Sequence, residues 1–325
     1  MSILFTAVLL LSGTSTDATE ESKSTESHHQ AAQGIPLPGD LRLNGRFDLN
    51  YERVGFSGDP SEGQQALRNY HHFIFLSRQA KGDPVTFNAE LIDLTFYEAA
   101  YKMTIAQSVR LKIKAGKILV PFGAEPLFHN SYGGRSGFDQ QILPIIWARH
   151  GASAQLQYRL GSVALSNDLY AVQGHALRTA DGVLNLQNDF SANDDVNFGT
   201  GDRLGVSWGP ISAWYSFYFN RLGFDRKLFL QALDISVWRP RSIPVLEDFS
   251  LSAGILRADI SGGGAGEDYY HFGDYLQVRY YPWDWFYLQY RTGLRTTNNR
   301  RGIVFDNTRG DENDNSSHNF AVVVQ

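Results

Sequence analysis

The feature that most constrains this chain is an alternation of apolar and polar residues that runs for longer than an ordinary strand. In residues 41–53 (LRLNGRFDLNYER) almost every second side chain is apolar, and the side chains between them are polar or charged. Residues 148–160 (ARHGASAQLQYRL) repeat this pattern, with His150 as an exception on the apolar side. Because successive side chains of a strand point to opposite faces, each stretch predicts a strand with one apolar and one polar face. Soluble strands average about five or six residues, whereas about ten tilted residues cross a bilayer.

About fourteen such strands (twelve to sixteen) are predicted, because bacterial outer-membrane barrels have an even number of antiparallel strands. The predicted strands are 41–53, 69–79, 85–94, 97–105, 109–115, 148–160, 163–173, 201–209, 211–220, 226–238, 247–259, 269–281, 284–296 and 317–325. Long connections are then expected on one side, at 56–68, 118–145, 174–200, 260–268 and 297–316. Short ones are expected on the other, near 81–84, 107–108, 161–162, 209–210 and 282; only 239–246 is long for its side. Long outer loops and short periplasmic turns are typical of such barrels.

The sequence therefore predicts an all-β fold, a transmembrane antiparallel up-and-down β-barrel in the bacterial outer membrane. Aromatic residues make up 13 % of the chain and glycine is abundant at 31 residues, which favours strands and turns. A soluble β-sandwich with aromatic residues in its core is the alternative, but it would not need so many long strands with a polar inner face. No apolar run reaches the roughly 18 residues of a membrane-spanning helix.

The N-terminal residues 1–39 do not follow this alternating pattern. Residues 1–18 contain a short apolar run, 3–11, and are predicted to be a signal peptide, although no Lys or Arg precedes the run. Residues 19–39 are polar and are predicted to be a flexible periplasmic linker. Residues 40–325 are assigned to the barrel. The absence of cysteine excludes disulfide scaffolds, thiolate metal sites and cysteine nucleophiles.

One segment resembles a known family. The stretch VRLKIKAGKILVPFG at 109–123, followed by Ala124 and Glu125, is similar to a segment of the phosphate-selective porin O/P family, and the resemblance extends over residues 85–174. The matching residues are Gly116, Pro121, Phe122, Gly123 and Glu125, with Arg149 and Gly151 on the returning strand. Lys117 stands where the family has Gln, and the family's barrels usually have more strands. The resemblance implies that the loop 118–145, with Pro121, Phe122, Gly123 and Glu125, folds inwards and narrows a pore; a surface cap is the alternative.

The polar faces of the strands predict a basic inner surface. A charged side chain facing lipid costs about 2–4 kcal/mol at the bilayer midplane, so the charged residues are expected to face the lumen. Rings of Arg and Lys in a pore favour anions. The predicted anion pathway consists of Arg110, Lys112, Lys114, Arg149, Arg159, Arg42 and Arg46. The acids expected inside are Asp48, Glu52, Glu90 and Asp168, and pairing of the cations with them in a closed lumen is the alternative.

These features predict an outer-membrane, porin-like channel for passive diffusion of small anionic solutes. The alternative is a structural or plugged barrel that acts as an envelope docking partner without conductance, because a fold does not imply a function. No set of catalytic residues stands out, so no enzymatic activity, cofactor or metal is expected. The expected partners are the lipid and lipopolysaccharide of the outer membrane, small anions and further copies of the chain in a homotrimer. Nucleic acid is not expected, because the net charge is −5.

Overall fold

The computed structural model describes residues 5–8, 34–56, 59–68, 72–78, 80, 82–92, 94, 96–123, 148–177, 184–185, 197–240, 243–262, 268–283, 286–297, 303–304 and 315–324. The strands in chain order are β1 (Phe5–Val8), β2 (Ile35–Leu37), β3 (Leu41–Phe56), β4 (Asp59–Arg68), β5 (His72–Arg78), β6 (Val85–Glu90), β7 (Tyr97–Ala106), β8 (Val109–Leu119), β9 (Ala148–Leu160), β10 (Val163–Gln173), β11 (Leu184–Asn185), β12 (Phe198–Trp208), β13 (Ile211–Gly223), β14 (Arg226–Trp238), β15 (Phe249–Ser261), β16 (Tyr269–Trp283), β17 (Phe286–Thr297), β18 (Ile303–Val304) and β19 (Asn315–Val324). Within these ranges no helix is long and apolar enough to span a membrane.

Fourteen of the strands form one antiparallel meander. β3 pairs with β5, and from β5 to β10 each strand pairs with the next. β10 pairs with β12, each strand from β12 to β17 pairs with the next, and β17 pairs with β19. This series of fourteen up-and-down strands confirms the predicted strand number and fold class. β1 pairs with β3 and also contacts β19, so it lies beside both the first and the last strand of the series.

Two predicted connections are wrong. The predicted loop 56–68 contains β4, which pairs with the second half of β3 from Asn50 onwards. The sequence of β4 does not alternate, so its pairing in the hairpin gives no periodic signal. The turn expected near Pro282 also lies elsewhere, because β16 continues to Trp283 with a register shift after Tyr280. A bulge of this kind is one of the few places where a sheet accepts a proline, which has no N–H to donate.

The two ends of the barrel differ in their connections. At the end that we call the turn end, tight turns at 107–108, 161–162 and 209–210 join successive strands, as predicted. At the opposite end, the loop end, lie the connections that follow β8, β10, β15 and β17, together with the two-residue turn 224–225 between β13 and β14. Two of those loops meet there, because β11 pairs in parallel with β18.

The side chains are distributed in the opposite sense to a soluble protein. Large apolar side chains of one face, such as Leu156 and Leu204, are 43 % and 49 % exposed. Polar side chains of the other face, such as Gln155, Ser216 and Asn220, are buried. Buried polar groups and exposed apolar ones are the informative exceptions to the usual rule, and here they follow the strand period. The exposed apolar face therefore belongs against hydrocarbon, and the soluble sandwich is wrong.

The inner face also contains apolar residues, on the part of the wall nearer the loop end. This inner apolar cluster is formed by Ile118, Val120, Phe122, Tyr170, Val172, Leu177, Tyr218, Leu222, Leu228, Leu230, Ala232, Leu256, Ala258, Ile260 and Tyr275. The cluster joins side chains from β8, β10 and β13–β16 with side chains from two segments that leave their strands, 120–123 and 174–177. Those segments position the candidate site.

The predictions for the N-terminal residues stay predictions. Within the predicted signal peptide the structure describes β1, and within the predicted linker it describes residues 34–39. β2 of that linker pairs with Leu41–Leu43 at the beginning of β3.

Candidate pore and inner wall

A group of cations lies on the inner face of β7 and β8. Arg110, Lys112 and Lys114 alternate along β8 with the outward Leu111 and Ile113. Across to β9 they stand opposite neutral polar side chains, the register pairs being Arg110–Gln157, Lys112–Gln155 and Lys114–Ser153. The register with β9 therefore places no carboxylate directly opposite these three cations, and it brings them to one wall.

On the β7 side the register adds a fourth cation that the sequence reading missed. Lys102 stands directly opposite Lys112. Like charges placed opposite each other in a sheet destabilise it. Glu98 of β7 is a carboxylate on the same inner face, and its Oε2 lies 3.4 Å from Nζ of Lys114. We call Lys102, Arg110, Lys112 and Lys114 the basic row. Lys102 could have been found from the alternation of β7, where Glu98, Ala100 and Lys102 share one face.

The other residues of the predicted anion pathway are spread more widely. Arg149 lies near the loop end of β9, opposite Ile118, and is only 5 % exposed. Arg159 is exposed at the turn end, where its backbone N–H donates to the Ser108 carbonyl oxygen. Arg42 is half-buried on β3, and the side chain of Arg46 lies outside the described residues. The structure thus brings Arg110, Lys112 and Lys114 together and places Arg42 on a distant strand.

Residues 120–123 leave β8 and turn inwards, where Val120 and Phe122 join the inner apolar cluster. The Phe122 N–H donates to the Val120 carbonyl oxygen at 2.8 Å, so Pro121 occupies the centre of a tight three-residue turn. Gly123 follows with a φ of 80°, a left-handed conformation that glycine adopts without strain. Pro121 is buried with Phe122, whereas Glu125 lies outside the described residues.

A buried ion pair fixes the end of this segment. Arg203 on β12 donates through Nη2 to Oδ2 of Asp168 on β10 at 2.8 Å, and through Nε to the same oxygen at 3.1 Å. Its Nη1 donates to the Gly123 carbonyl oxygen at 3.3 Å. The Gly123 N–H donates to the Ser216 hydroxyl at 3.0 Å. One guanidinium therefore joins two strands and the inward segment. The alternation predicts that Arg203 and Asp168 face inwards, but it cannot predict this pairing.

Aromatic side chains lie flat against glycines of β12. A Cβ at Gly199 would lie 2.0 Å from the Tyr218 hydroxyl oxygen, and one at Gly201 would lie 2.3 Å from the Tyr170 hydroxyl oxygen. The rings of Tyr170 and Tyr218 stack with their centroids 6.4 Å apart. The inner wall is thus thinned at β12 so that two tyrosines fit beside it. Gly199 and Gly201, at alternate inward positions of β12, are the sequence signal from which this space for the tyrosines could have been predicted.

A second returning segment, 174–177, packs along the end of β13. Asn220 holds it, accepting from the His175 N–H and donating through Nδ2 to the His175 carbonyl oxygen at 3.1 Å. The Leu177 N–H donates to the Leu222 carbonyl oxygen at 2.8 Å. Burial, and then the nearby charge of Arg149, hold the pKa of His175 well below its ordinary value. His175 is therefore neutral at pH 7.

Two further features bear on other functions. The sequence Gly205-Val206-Ser207-Trp208-Gly209 has the spacing of a nucleophile elbow, which requires a strand, a sharp turn and a helix. Here it ends a strand at a hairpin, and the Ser207 hydroxyl hydrogen-bonds that of Ser212 at 2.8 Å. The elbow geometry is therefore absent from this stretch. Among the described side chains, no three His, Asp or Glu groups converge to hold a metal.

The outward face carries some polar side chains within its apolar area, and two of them form a hydrogen-bonded pair on β10 and β12. Asn167 on β10 donates through Nδ2 to Oδ1 of Asp202 on β12 at 2.6 Å. Leu169 and Leu204, which flank the pair, are exposed. A carboxylate is therefore present on a face that is otherwise suited to hydrocarbon.

No family model matches this chain, and no curated protein matches its sequence. Several solved structures are similar to it. OccK10 (OpdN) of Pseudomonas aeruginosa is 10% identical, with 87% of this chain and 88% of that chain covered and a TM-score of 0.44. The anion-selective porin from Comamonas acidovorans is 11% identical, with 90% and 83% covered and a TM-score of 0.39. The outer membrane channel DcaP of Acinetobacter baumannii is 12% identical, with 82% and 78% covered and a TM-score of 0.36. The resemblance of residues 85–174 to the phosphate-selective porin O/P family stays a prediction.

Proposed function

We propose that this chain is a bacterial outer-membrane channel through which small anionic solutes diffuse passively. The observation that carries the proposal is the basic row on the inner wall. Lys102 and Lys112 are register partners, and with Arg110 and Lys114 they place four cations on one inner face of β7 and β8. Cations that line a pore favour anions over cations. The exposed apolar outer face supports the membrane placement.

The inward segment 120–123 supports a constriction in this channel. Phe122 is 3 % exposed and is held inside by the contacts of Gly123 with Ser216 and Arg203. The segment leaves the same strand that carries the basic row. A solute that passes the segment would therefore travel along the wall formed by β7, β8 and β9.

The test is a reversal potential across a planar bilayer with asymmetric KCl. The wild-type pore is expected to prefer chloride, and the triple variant R110Q/K112Q/K114Q is expected to lose most of that preference. Lys117→Gln is the matched control, because Lys117 is on the same strand but on the opposite, outward face. A wild-type pore that prefers potassium would refute the proposal, as would a triple variant with unchanged selectivity.

A plugged barrel is the second candidate, and the inner apolar cluster is the observation that favours it. Two returning segments pack into this cluster and cover part of the inner wall. Phe122→Ala separates the two candidates. If the barrel is a channel, the wild type conducts and the variant conducts more, because the constriction is wider. If it is plugged, the wild type is silent.

We also propose that the barrel assembles as a homotrimer. The pair of Asn167 and Asp202 supports this, because a second copy of the chain would remove the carboxylate from lipid. Chemical crosslinking of the wild type in membranes is expected to give trimers. The variant Asp202→Leu tests whether this face is the contact, since a contact built on Asp202 would change in strength. A crosslinking pattern without trimers would refute the assembly and leave the channel proposal untouched.

A further inference from the structure

A row of polar side chains crosses the outward face near the loop end of β7–β10. Tyr97, Lys117 and His150 stand directly opposite one another in register on three successive strands. The Tyr97 hydroxyl lies 3.0 Å from Nε2 of His150, and Nδ1 of His150 lies 3.2 Å from Oε1 of Gln173 on the next strand. We call these four residues the outer polar row. Side-chain contacts across β8 therefore hold the row in place.

The height of this row is set by the strands. His150 is about ten residues from Leu160 along β9, which at about 3.3 Å per residue and a tilt near 40° is about 25 Å along the membrane normal. That distance equals the height of the apolar band of a typical outer-membrane barrel, about 25 Å. Leu160 lies at the turn end and is exposed. The outer polar row therefore lies where the hydrocarbon ends and the head groups of the outer leaflet begin.

Alanines fill the row below it. Ala99, Ala115, Ala152 and Ala171 are register partners across β7–β10. These small side chains leave the outer surface flat directly beneath the polar groups. An acyl chain or a sugar ring can lie close to the sheet there, without displacing a larger side chain.

Lys117 supplies the charge of the row. Its Nζ donates to the Leu94 carbonyl oxygen at 3.1 Å, which uses one of the three N–H bonds of an ammonium group and directs the group along the face. No member of the outer polar row is acidic. Asp202, the carboxylate on the outward face of β12, lies two rows closer to the turn end and is bonded to Asn167.

We propose that the outer polar row binds a phosphate group of a phosphorylated glycolipid of the outer leaflet. Lys117 donates to the phosphate oxygens, and His150, held between Tyr97 and Gln173, forms the side of the site. The acyl chains lie over the alanine row. This site is distinct from the proposed anion pathway, because it is on the opposite face of the sheet. It rests on the proposed placement in the outer membrane and is independent of conductance.

The experiment measures retention of bisphosphorylated lipid A by the purified, folded full chain in detergent, using native mass spectrometry. Lys117→Gln is expected to weaken retention about tenfold, because it removes a hydrogen bond from a charged group. Fully dephosphorylated lipid A is expected to bind the wild type and Lys117→Gln equally weakly. The heat-dependent shift in electrophoretic mobility verifies that each variant is a folded barrel.

Arg257→Gln is the matched control. Arg257 is a cation on the outward face of β15, beyond the apolar Ile255, but its charge is already paired with Asp259 at 2.8 Å. The Arg257→Gln variant is expected to retain lipid A like the wild type.

Equal retention by wild type and a folded Lys117→Gln would overturn the proposal, and so would equal binding of the phosphorylated and dephosphorylated lipid. If inorganic phosphate at the same concentration as the lipid displaces the lipid, the row is a site for free phosphate instead. If a second copy of the chain covers position 117 and no lipid is retained, the outer polar row is a subunit contact instead.

Discussion

The ion pair between Asp168 and Arg203 is the contact whose removal should have the largest effect on this barrel. Its side chains are only 2 % and 8 % exposed, and the guanidinium donates twice to one carboxylate oxygen. In Asp168→Asn the guanidinium keeps its charge and its burial but loses its counter-ion. Breaking a buried pair from one side costs about 3–5 kcal/mol. We therefore expect Asp168→Asn to lower the free energy of unfolding by that amount.

Two comparisons separate this effect from a general loss of charge. The double variant D168L/R203M removes both charges together, and replacing a buried pair by apolar residues is often neutral or stabilising. It should therefore be more stable than Asp168→Asn. The exposed pair Arg257–Asp259, with side chains 53 % and 29 % exposed, is the surface control. Asp259→Asn is expected to cost about 1 kcal/mol or less, because water screens an exposed pair.

The assay is reversible urea unfolding in lipid vesicles, followed by tryptophan fluorescence. A loss below about 1 kcal/mol in Asp168→Asn would refute the reasoning, because it would place the pair in the range of surface ion pairs. The single and double variants should also differ in conductance. Asp168→Asn keeps Arg203, which can still donate to the Gly123 carbonyl oxygen, whereas D168L/R203M removes that donor. D168L/R203M should therefore show the larger and noisier conductance.

Three further predictions test other features. Leu156→Arg should impair assembly of the barrel, whereas Gln157→Leu should leave it largely intact, as measured by the yield of heat-modifiable protein; equal yields would contradict the assignment of faces. Burial lowers the pKa of His175, so the unfolded chain binds more protons below about pH 6.5 and stability should fall on acidification by up to about 1.4 kcal/mol per pH unit. His175→Gln should reduce that slope, and an unchanged slope would mean that other groups cause it. In this cysteine-free chain, a cysteine at Asn185 should react with an impermeant reagent on intact cells and one at Ser162 only after permeabilisation; the reverse would show that the orientation is wrong.

The strands could be predicted from the sequence because the period of two is imposed by lipid on one side and by polar neighbours on the other. In β9 and β10 the predicted and observed bounds coincide. β4 could not be predicted, because apolar and polar residues do not alternate in its sequence. The turn near Pro282 was misplaced because proline is read as an end of a strand, while a bulge accommodates it within β16.

The site was only partly predictable, because alternation gives the face of a residue but not its neighbours. It placed Arg110, Lys112 and Lys114 on one wall, yet the opposition of Lys102 and Lys112 depends on the register of β7 with β8. The inward turn of residues 120–123 was implied by a family resemblance. Its anchor on Arg203 depends on a contact across 80 residues of sequence, which no local pattern records.

The inner face of β8 joins two kinds of surface that have different consequences for a solute. Lys112 and Lys114 belong to the basic row, and Ile118, on the same face nearer the loop end, belongs to the inner apolar cluster. The positive charge is not confined to the basic row, because Arg279 on β16 and Arg291 on β17 also face inwards, where they donate to the neutral side chains of Gln289 and Gln277. These cations act on a solute through water, where the Debye length is about 30 Å at 0.01 M salt and about 8 Å at 0.15 M. Anion selectivity should consequently be strongest in dilute salt and fall as salt is added, because screening shortens the reach of each charge.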